Sequence, residues 1–568
     1  MTMRHDDNPG RGQLILGACL GEDVHVAGVL NFLRLAEEQV GYTTEFLGPA
    51  TPVEKVVAAV KERRPHLVAI GYRLGPEAAG VLLGALARSV RSELAGVAAA
   101  DGSAIRWVFG GTPPVAEEAR TTGLFEAAFS GEEGIDHILA FLRGKAGAVA
   151  GTGEAAGEAA REAAREAGRE AGSRGGGRWP DALVERIAAK KPYPLIRHHF
   201  GLATVDETVQ GAAEIARAEV LDVLSLGPDQ NAQESFFRPE EMDPRQDGAG
   251  GVPLRTPDDL RRIYQAGRLG SHPLVRCYSG TRDLVKMAAM YKATINLAWG
   301  AVPLFWYSVL DGRSNRGLEQ AISENLAAVA WHADQGIPVE INESHHWSLR
   351  EAPDEVAVAA AYLAAYNAKK AGVRHYVSQY MLNTPPGTTA PMDLAKMLAK
   401  IDLIESLHDG DFTSYRQVRA GLMSFPTDHE AAKGQLGYAT WLGMCLKPHI
   451  VHVVAACEAH HAARPADVIE SCRLARGVID SCLAGLPDPA ADPAVDARRR
   501  ELGDGAMRLL DGIKHLAPDG CADPWTHPAT LAAAVRTGLL DAPHLAGNPH
   551  AAGRVRTRMV GGACRAIA

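Results

Sequence analysis

Apolar and polar positions along the first quarter of the chain follow two rhythms in turn. Short apolar runs at 13–19, 43–47, 66–72, 106–109 and 127–129 have the length of strands. The stretches between them, such as 26–40 and 53–63, space apolar residues three and four apart, as an amphipathic helix does. Strand and helix in alternation over 12–148 predict a doubly wound parallel sheet, whose ligands bind beyond the carboxyl ends of its strands. A second series begins near residue 193. Eight apolar runs, at 194–201, 221–227, 274–278, 295–300, 339–342, 375–381, 419–424 and 449–456, are separated by helical stretches such as 318–333 and 353–371. Eight β-then-α units predict a (β/α)8 TIM barrel. Polar residues that follow these strands should then converge on one mouth: His198 and His199, Asp229 to Asn231, Tyr278 to Arg282, Glu343 to Trp347, Asn383 and Thr384, Thr427 to Glu430, and Glu458 to His461.

The expected architecture is α/β, with a flavodoxin-like doubly wound domain at 1–148 and the barrel at 181–487. Residues 149–180 between them are low-complexity linker: repeated Glu-Ala-Ala/Gly-Arg units support a solvated helix, and glycines at both ends act as hinges. Residues 488–568 read as an extension packed on the barrel and as a candidate homodimer contact. A chain of 568 residues exceeds what one core organises. The net charge of −9 lacks the basic footprint of a nucleic-acid binder. No apolar stretch reaches membrane-spanning length, and residues 1–13 are polar, without the core of a signal peptide. The eight cysteines form no C-x-x-C pair, so no zinc or iron–sulfur cluster is suggested, and scattered thiols fit the cytoplasm.

One loop carries distinctive chemistry. Asp23-Val24-His25-Val26-Ala27-Gly28 is a D-x-H-x-x-G sequence directly after the first expected strand. An imidazole there can offer a neutral ring nitrogen to a metal, while the carboxylate two residues earlier accepts the other ring N–H and fixes the tautomer. Gly28 lets a large flat ligand approach the following helix, and Gly110-Gly111, after the fourth strand, offers bare backbone.

This arrangement resembles the cobalamin-binding domain of the B12 mutases and methyltransferases. The resemblance implies that His25 is the lower cobalt ligand, replacing the cofactor's own benzimidazole, and that the nucleotide tail threads into the sheet past a Ser-x-Leu segment and a Gly-Gly pair. Asp23, His25, Gly28, Gly110 and Gly111 match that pattern. The Ser-x-Leu position does not: the chain reads Gly71-Tyr72-Arg73-Leu74, leaving Tyr72 or a backbone group to take the serine's place. The alternative is a flavodoxin-like domain with an incidental histidine.

The second domain is similar to the barrel subunit of glutamate mutase (methylaspartate mutase). The likeness rests on Tyr278-Ser279-Gly280-Thr281-Arg282-Asp283, on 332–342, on Val453 to Ala459 and on the C-terminal 537–543. It implies the family's two subunits fused in one chain. That family grips two substrate carboxylates with three arginines and meets the ammonium group with a glutamate. His199, Gln233 and Tyr278 stand at the arginine positions and Gly300 at the glutamate, so a dicarboxylic amino acid should bind poorly. Arg197, Arg238 and Arg282 remain candidates for holding one carboxylate or a phosphate. Glu458 matches a glutamate that bonds the adenosyl ribose, or else is a helix-start carboxylate; the accompanying lysine is replaced by Val454.

His345-His346-Trp347 invites a metal or acid–base reading. On an extended segment adjacent side chains point opposite ways, so one of these histidines is expected as a hydrogen-bonding or proton-transfer group rather than both as ligands. His460-His461 reads as solvated. The expected function is an adenosylcobalamin-dependent radical carbon-skeleton mutase that resembles glutamate mutase but acts on a different small molecule, contacted by Tyr278, Gln233, Asn231, His199 and Asn383. The rivals are a corrinoid methyltransferase using methylcobalamin and a non-catalytic cobalamin carrier or sensor.

Overall fold

A computed structural model describes residues 10, 12–21, 23, 26–73, 76–131, 133, 135–144, 179–458, 461–486, 488 and 491–567. The first unit is a five-stranded parallel sheet in the order β2-β1-β3-β4-β5. Its strands are β1 (Leu14–Cys19), β2 (Thr43–Phe46), β3 (Leu67–Tyr72), β4 (Arg106–Gly111) and β5 (Ala127–Phe129). Helices α1 (Ala27–Val40), α2 (Val53–Arg63), α3 (Pro76–Glu93), α4 (Pro113–Thr121) and α5 (Ile135–Leu142) connect and flank them. Both faces of the sheet are covered. Ile15 and Cys19 of β1 join Val29, Leu33 and Phe141 on one side, while Leu16 and Ala18 join Val56, Leu83 and Val115 on the other. The near-continuous apolar runs seen in the sequence follow from this, because a strand buried on both faces has no polar side to show. The chain runs outward from β1 to β2 and then crosses back to β3, so the topological switch point lies between the carboxyl ends of β1 and β3.

The second unit is an eight-stranded parallel barrel. Its strands are β6 (Leu195–Phe200), β7 (Val223–Leu226), β8 (Leu274–Cys277), β9 (Gly300–Val302), β10 (Val339–Ile341), β11 (His375–Leu382), β12 (Thr413–Ala420) and β13 (Ile450–Val453). They are hydrogen-bonded in the order β8-β7-β6-β13-β12-β11-β10-β9, and Ala298 N–H donates to Val275 O at 2.9 Å across the remaining seam. The helix Leu183–Lys190 closes the amino end, where Leu183 and Ile187 meet Leu195, Val223, Leu274 and Val377. The opposite, carboxyl end is therefore the open mouth.

Two strands differ from their expected positions. Residues 295–300 were expected as the fourth strand. Instead the helix Leu284–Ile295 ends in a left-handed Asn296 (φ 45°), and pairing starts at Gly300. An apolar run that joins a buried helix end to a buried strand has no period to mark the change. The seventh strand begins at Thr413 rather than 419, and Leu422–Ser424 is a 3-10 turn. Its inward positions are polar: Gln417 lies wholly buried among charged groups, so the strand does not read as an apolar run.

The two units touch at one rim of the mouth. Met423 and Leu349 pack against the α1 side of the first sheet, Arg34 Nη1 donates to Phe425 O at 3.3 Å, and Thr427 Oγ1 donates to Glu38 Oε2 at 2.9 Å. Of the linker expected at 149–180, residues 149–178 lie outside the described residues. Beyond the barrel, helices Pro493–Lys514 and Pro528–Thr537 and the antiparallel hairpin β14 (Arg556–Val560) and β15 (Ala563–Ile567) cover its flank. Buried Asp354 keys them in place, accepting from Arg498 Nη2 and from Cys564 N–H, each at 3.1 Å. Among the described residues, no helix is long and apolar enough to cross a membrane.

Candidate functional site

At the switch point of the first sheet, Asp23 follows β1 and is fully buried; its Oδ2 accepts the backbone N–H of Arg73, just after β3, at 2.6 Å. This bond ties together the two strand ends between which a doubly wound sheet opens its ligand crevice. His25, the expected metal ligand, lies outside the described residues, as does Leu74. The four candidate glycines divide into two kinds. A Cβ on Gly71 would sit 2.4 Å from Val29 Cγ2, and one on Gly111 would sit 2.5 Å from Tyr72 O, so these two let the chain pack against itself. Gly28, exposed in the first turn of α1, and Gly110, at the end of β4, face open space. Gly110 shares the α1 side of the sheet with Gly71 and leaves bare backbone where a ligand can lie.

Tyr72 is buried and, with Ala78, lines one wall of a cavity of about 1090 Å³. The other wall belongs to the barrel and includes Arg238, Asp283, Arg313 and Asn315. The cavity thus lies between the carboxyl edge of the first sheet and the rim of the barrel. Arg238 pairs with Asp283, and Arg282 pairs with Glu241 at 2.6 Å, so both of these arginines are engaged.

The floor of the mouth is a buried charge network. Arg197 donates to Ser225 Oγ at 2.7 Å and to Gln417 Oε1 at 2.6 Å, and lies 3.5 Å from Glu340. Glu340 accepts from Trp299 Nε1 at 2.8 Å and from Gln417 Nε2 at 3.1 Å. Every member is satisfied, as a buried ion pair requires. Above it stand His199 and Tyr278, whose rings stack 5.0 Å apart. His199 Nε2 lies 2.9 Å from Tyr278 Oη and 3.2 Å from Arg197 Nη2. Arginine only donates, so Nε2 is the acceptor and the ring proton sits on Nδ1. Burial drives the His199 pKa well below its ordinary value, and the nearby Arg419 charge adds to this, so the ring is neutral; burial likewise raises the Tyr278 phenol. His452 packs edge-on against His199 at 4.5 Å and is held neutral by burial and then by His199.

His345 and His346 lie on a short helix, Ser344–Ser348, not on an extended segment, and their rings come within 4.4 Å of each other. The expectation that they diverge fails because the loop after β10 turns helical at once. Burial lowers both pKa values strongly, followed by Arg419 for His345 and by His345 for His346. Glu343, ahead of them, accepts from Leu304 N–H, Phe305 N–H and Trp347 Nε1, and burial pushes its pKa up to about 7.

Other expected contacts lie at the rim and hold loops. Asn231 donates to Asp243 O and Asp247 Oδ1 and accepts from Asp243 N–H. Gln233 donates to Pro228 O at 2.8 Å. Asn383, with a left-handed φ of 55°, accepts from Gln435 Nε2 at 3.2 Å. Glu458 accepts from Ala455 N–H at 2.9 Å and lies 3.4 Å from His198 Nε2. It stands in the loop after β13, well ahead of the helix Pro465–Ala484, so a helix-start role does not describe it. Gly300 faces the helix layer, where a Cβ would meet His332 Nε2 at 2.4 Å; a carboxylate there would not reach the mouth. Motif reading missed Arg276, Arg419 and His452, all within strands. Their signal was a polar residue inside an expected barrel strand, at a position that alternation can turn inward.

No known protein family's pattern matches the chain, and no curated protein matches it. Among solved structures, it is similar to a novel cobalamin-binding protein from Desulfitobacterium hafniense DCB-2, at 23% identity over 20% of this chain and 51% of that one, with a TM-score of 0.17. It is also similar to the cobalamin-dependent S-adenosylmethionine radical enzyme OxsB, solved with aqua-cobalamin and S-adenosylmethionine bound, at 10% identity over 91% of this chain and 63% of that one, with a TM-score of 0.20. The chain spans about half the length of the first and under two-thirds of the second. With superpositions this distant, neither likeness carries an argument about what the chain binds.

Proposed function

We propose that this chain is a cobalamin-dependent enzyme that rearranges the carbon skeleton of a small substrate held in the barrel mouth, using adenosylcobalamin. The observation that carries the reading is the cavity between the carboxyl edge of the first sheet, the edge on which the D-x-H-x-x-G sequence lies, and the rim of the barrel, beside a mouth lined with buried polar side chains. The open backbone faces at Gly28 and Gly110 suit a bulky ligand, which side chains there would exclude. In this reading His25 binds cobalt, Asp23 braces the loop, and Tyr72 with the backbone at Gly71, Gly110 and Gly111 contacts the remainder of the cofactor. When bound, adenosylcobalamin supplies a carbon-centred radical by opening of its cobalt–carbon bond.

The chain's own residues supply binding, orientation and exclusion of water. The barrel wall keeps solvent from the reacting centre. Tyr278 donates to His199 and fixes that ring, and His345 and His452 add neutral polar groups that neither bring nor remove charge. Dicarboxylic amino acids are not the substrate here, because His199, Gln233 and Tyr278 lack the fork of an arginine.

The test is uptake of adenosylcobalamin by the full chain, followed by its visible spectrum. Wild type should bind with the spectrum of a histidine-ligated cofactor, and H25A should weaken binding tenfold or more. A folded protein that takes up no corrinoid refutes the proposal. One observation favours a second reading, a methylcobalamin-dependent methyltransferase: Glu458 Oε1 already accepts from Ala455 N–H, which lessens its availability to an adenosyl ribose. Anaerobic incubation with adenosylcobalamin and candidate carboxylates separates the two, since cobalt(II)-coupled radical signals are expected only for the mutase.

A further inference from the structure

Arg419 is the residue of the mouth with least to do in the protein itself. It stands near the carboxyl end of β12, two residues beyond Gln417 and so on the same inward face of the barrel. Among the described residues its guanidinium makes no hydrogen bond and no ion pair, and its Nε is buried without a partner. His452, only 2% exposed, has both ring nitrogens unpartnered, and Arg276, wholly buried, lacks partners at Nε and Nη2. Arg276 otherwise donates from Nη1 to Ser225 Oγ at 3.3 Å and lies 5.0 Å over Tyr278 and 5.3 Å over Trp299. Donors left idle at the same place are costly unless something polar arrives to meet them.

The acids of the mouth each face a donor or a cation of the protein. Glu340 is held by Arg197, Trp299 and Gln417; Glu343 is held by two backbone N–H groups and Trp347. Asp311 Oδ1 accepts from Ser308 N–H at 3.1 Å, and its Oδ2, though without a hydrogen bond, lies 3.6 Å from both Arg313 and Arg350. Glu458 Oε1 accepts from Ala455 N–H and lies 3.4 Å from His198 Nε2 without a hydrogen bond. The imidazoles around Arg419 are neutral, so they offer hydrogen bonds and no charge. Among the described residues, the mouth is left with positive charge on Arg276 and Arg419 that no carboxylate pairs with.

We infer that Arg419 is the anchor for a substrate carboxylate, and that the substrate is a monocarboxylate with no ammonium group, whose uncharged remainder meets His199, Tyr278 and His452. A guanidinium with an open fork matches one carboxylate in bidentate fashion, whereas an ammonium group would lie beside the cations Arg276 and Arg419 with no carboxylate paired to them. The inference rests on the reading of the mouth as the substrate chamber and names the substrate class for it.

The test uses the full chain without corrinoid and follows isobutyrate by saturation-transfer NMR, with isobutyramide and L-glutamate as comparators. Isobutyrate should bind, and the two comparators should bind at least tenfold more weakly. R419Q should weaken isobutyrate binding tenfold or more, and R419K, which keeps charge but loses the fork, by three- to tenfold. Circular dichroism reports whether R419Q folds; if it does not, R419K decides. Binding of isobutyrate that is no tighter than that of the amide, equal binding of L-glutamate, or affinity in the folded variant within twofold of wild type overturns the inference. Corrinoid uptake, measured separately, keeps the outcomes apart: normal uptake with no isobutyrate binding sinks only the Arg419 assignment, and the reverse sinks only the cofactor reading.

Discussion

Replacing Glu340 with glutamine tests whether the floor of the mouth works as a unit. Glu340 is 1% exposed and lies 3.5 Å from an equally buried Arg197. At an effective dielectric of about 20, unit charges at 3.5 Å attract by roughly 5 kcal/mol. Glutamine keeps an acceptor for Trp299 Nε1 and is cheaper to desolvate, but it leaves a buried guanidinium without its counter-ion. Breaking one side of such a pair costs about 3–5 kcal/mol. For a barrel of this size that is roughly 5–10 °C in the midpoint of thermal unfolding. Trp299, bonded directly to Glu340, and the buried Trp306 and Trp347 make tryptophan fluorescence a reporter of the barrel's own transition. The decisive measurement is the double-mutant cycle with R197M. If the pair carries the effect, E340Q/R197M should be less destabilised than the sum of the single variants by about 2 kcal/mol or more. Additivity within about 0.5 kcal/mol would refute the coupling and with it the view that the network is one device.

Three further perturbations have defined signs. Lys400 is wholly buried, its pKa lowered to about 7 by burial first and then by Lys396, and among the described residues it has no ion pair. The unfolded chain holds more protons than the folded one between pH 7 and about 10.5, so wild-type stability should rise across that window; in K400M the rise should be lost, and stability at pH 7 should increase by roughly 3 kcal/mol, measured by denaturant titration. G300A should destabilise the barrel by about 1–3 kcal/mol, because its Cβ meets His332 Nε2 at 2.4 Å; an unchanged midpoint would mean that His332 moves freely. D23N should lower corrinoid affinity by about 10- to 100-fold in an absorbance titration, the usual effect of disturbing the group that orients a metal-binding loop; affinity within twofold of wild type would remove Asp23 from that role.

Much of the fold was legible because each unit obeys a single rule of burial. The sheet of the first unit is covered on both faces, so its strands show as short apolar runs that stop where the backbone turns; the runs at 13–19 and 66–72 correspond to Leu14–Cys19 and Leu67–Tyr72. Barrel strands have one face on the helix layer and one on the interior, and they are legible only while the interior is apolar. β12 breaks that condition. Ser414, Val418 and Ala420 are buried, but Arg416 reaches Glu405 and Gln417 reaches Arg197, so the stretch looks like surface and the apolar signal appears only at its end. β9 fails in another way, since apolar residues stand on both sides of the junction of helix and strand and only Asn296 marks it.

The site was legible where polar residues adjoin one another at a strand end, as His198 and His199 do, and obscure where one stands between apolar neighbours, as Arg276, Arg419 and His452 do, although all four of His199, Arg276, Arg419 and His452 are next to last in their strands. His199 and Tyr278 stand at strand ends, where polar residues are conspicuous, and the fold brings them within hydrogen-bond distance across the mouth. Asn231, Gln233 and Asn383 are equally conspicuous in sequence, yet their amides hold the loops that shape the rim. Position after a strand marks a residue as near the mouth; whether its polar atoms are spent on the protein decides if it can meet a ligand. By that criterion Arg419 and His452 outrank the three amides. The distinction depends on partners far away in sequence, such as the acids that ignore Arg419 while Glu340 holds Arg197, and no local pattern of residues can contain it.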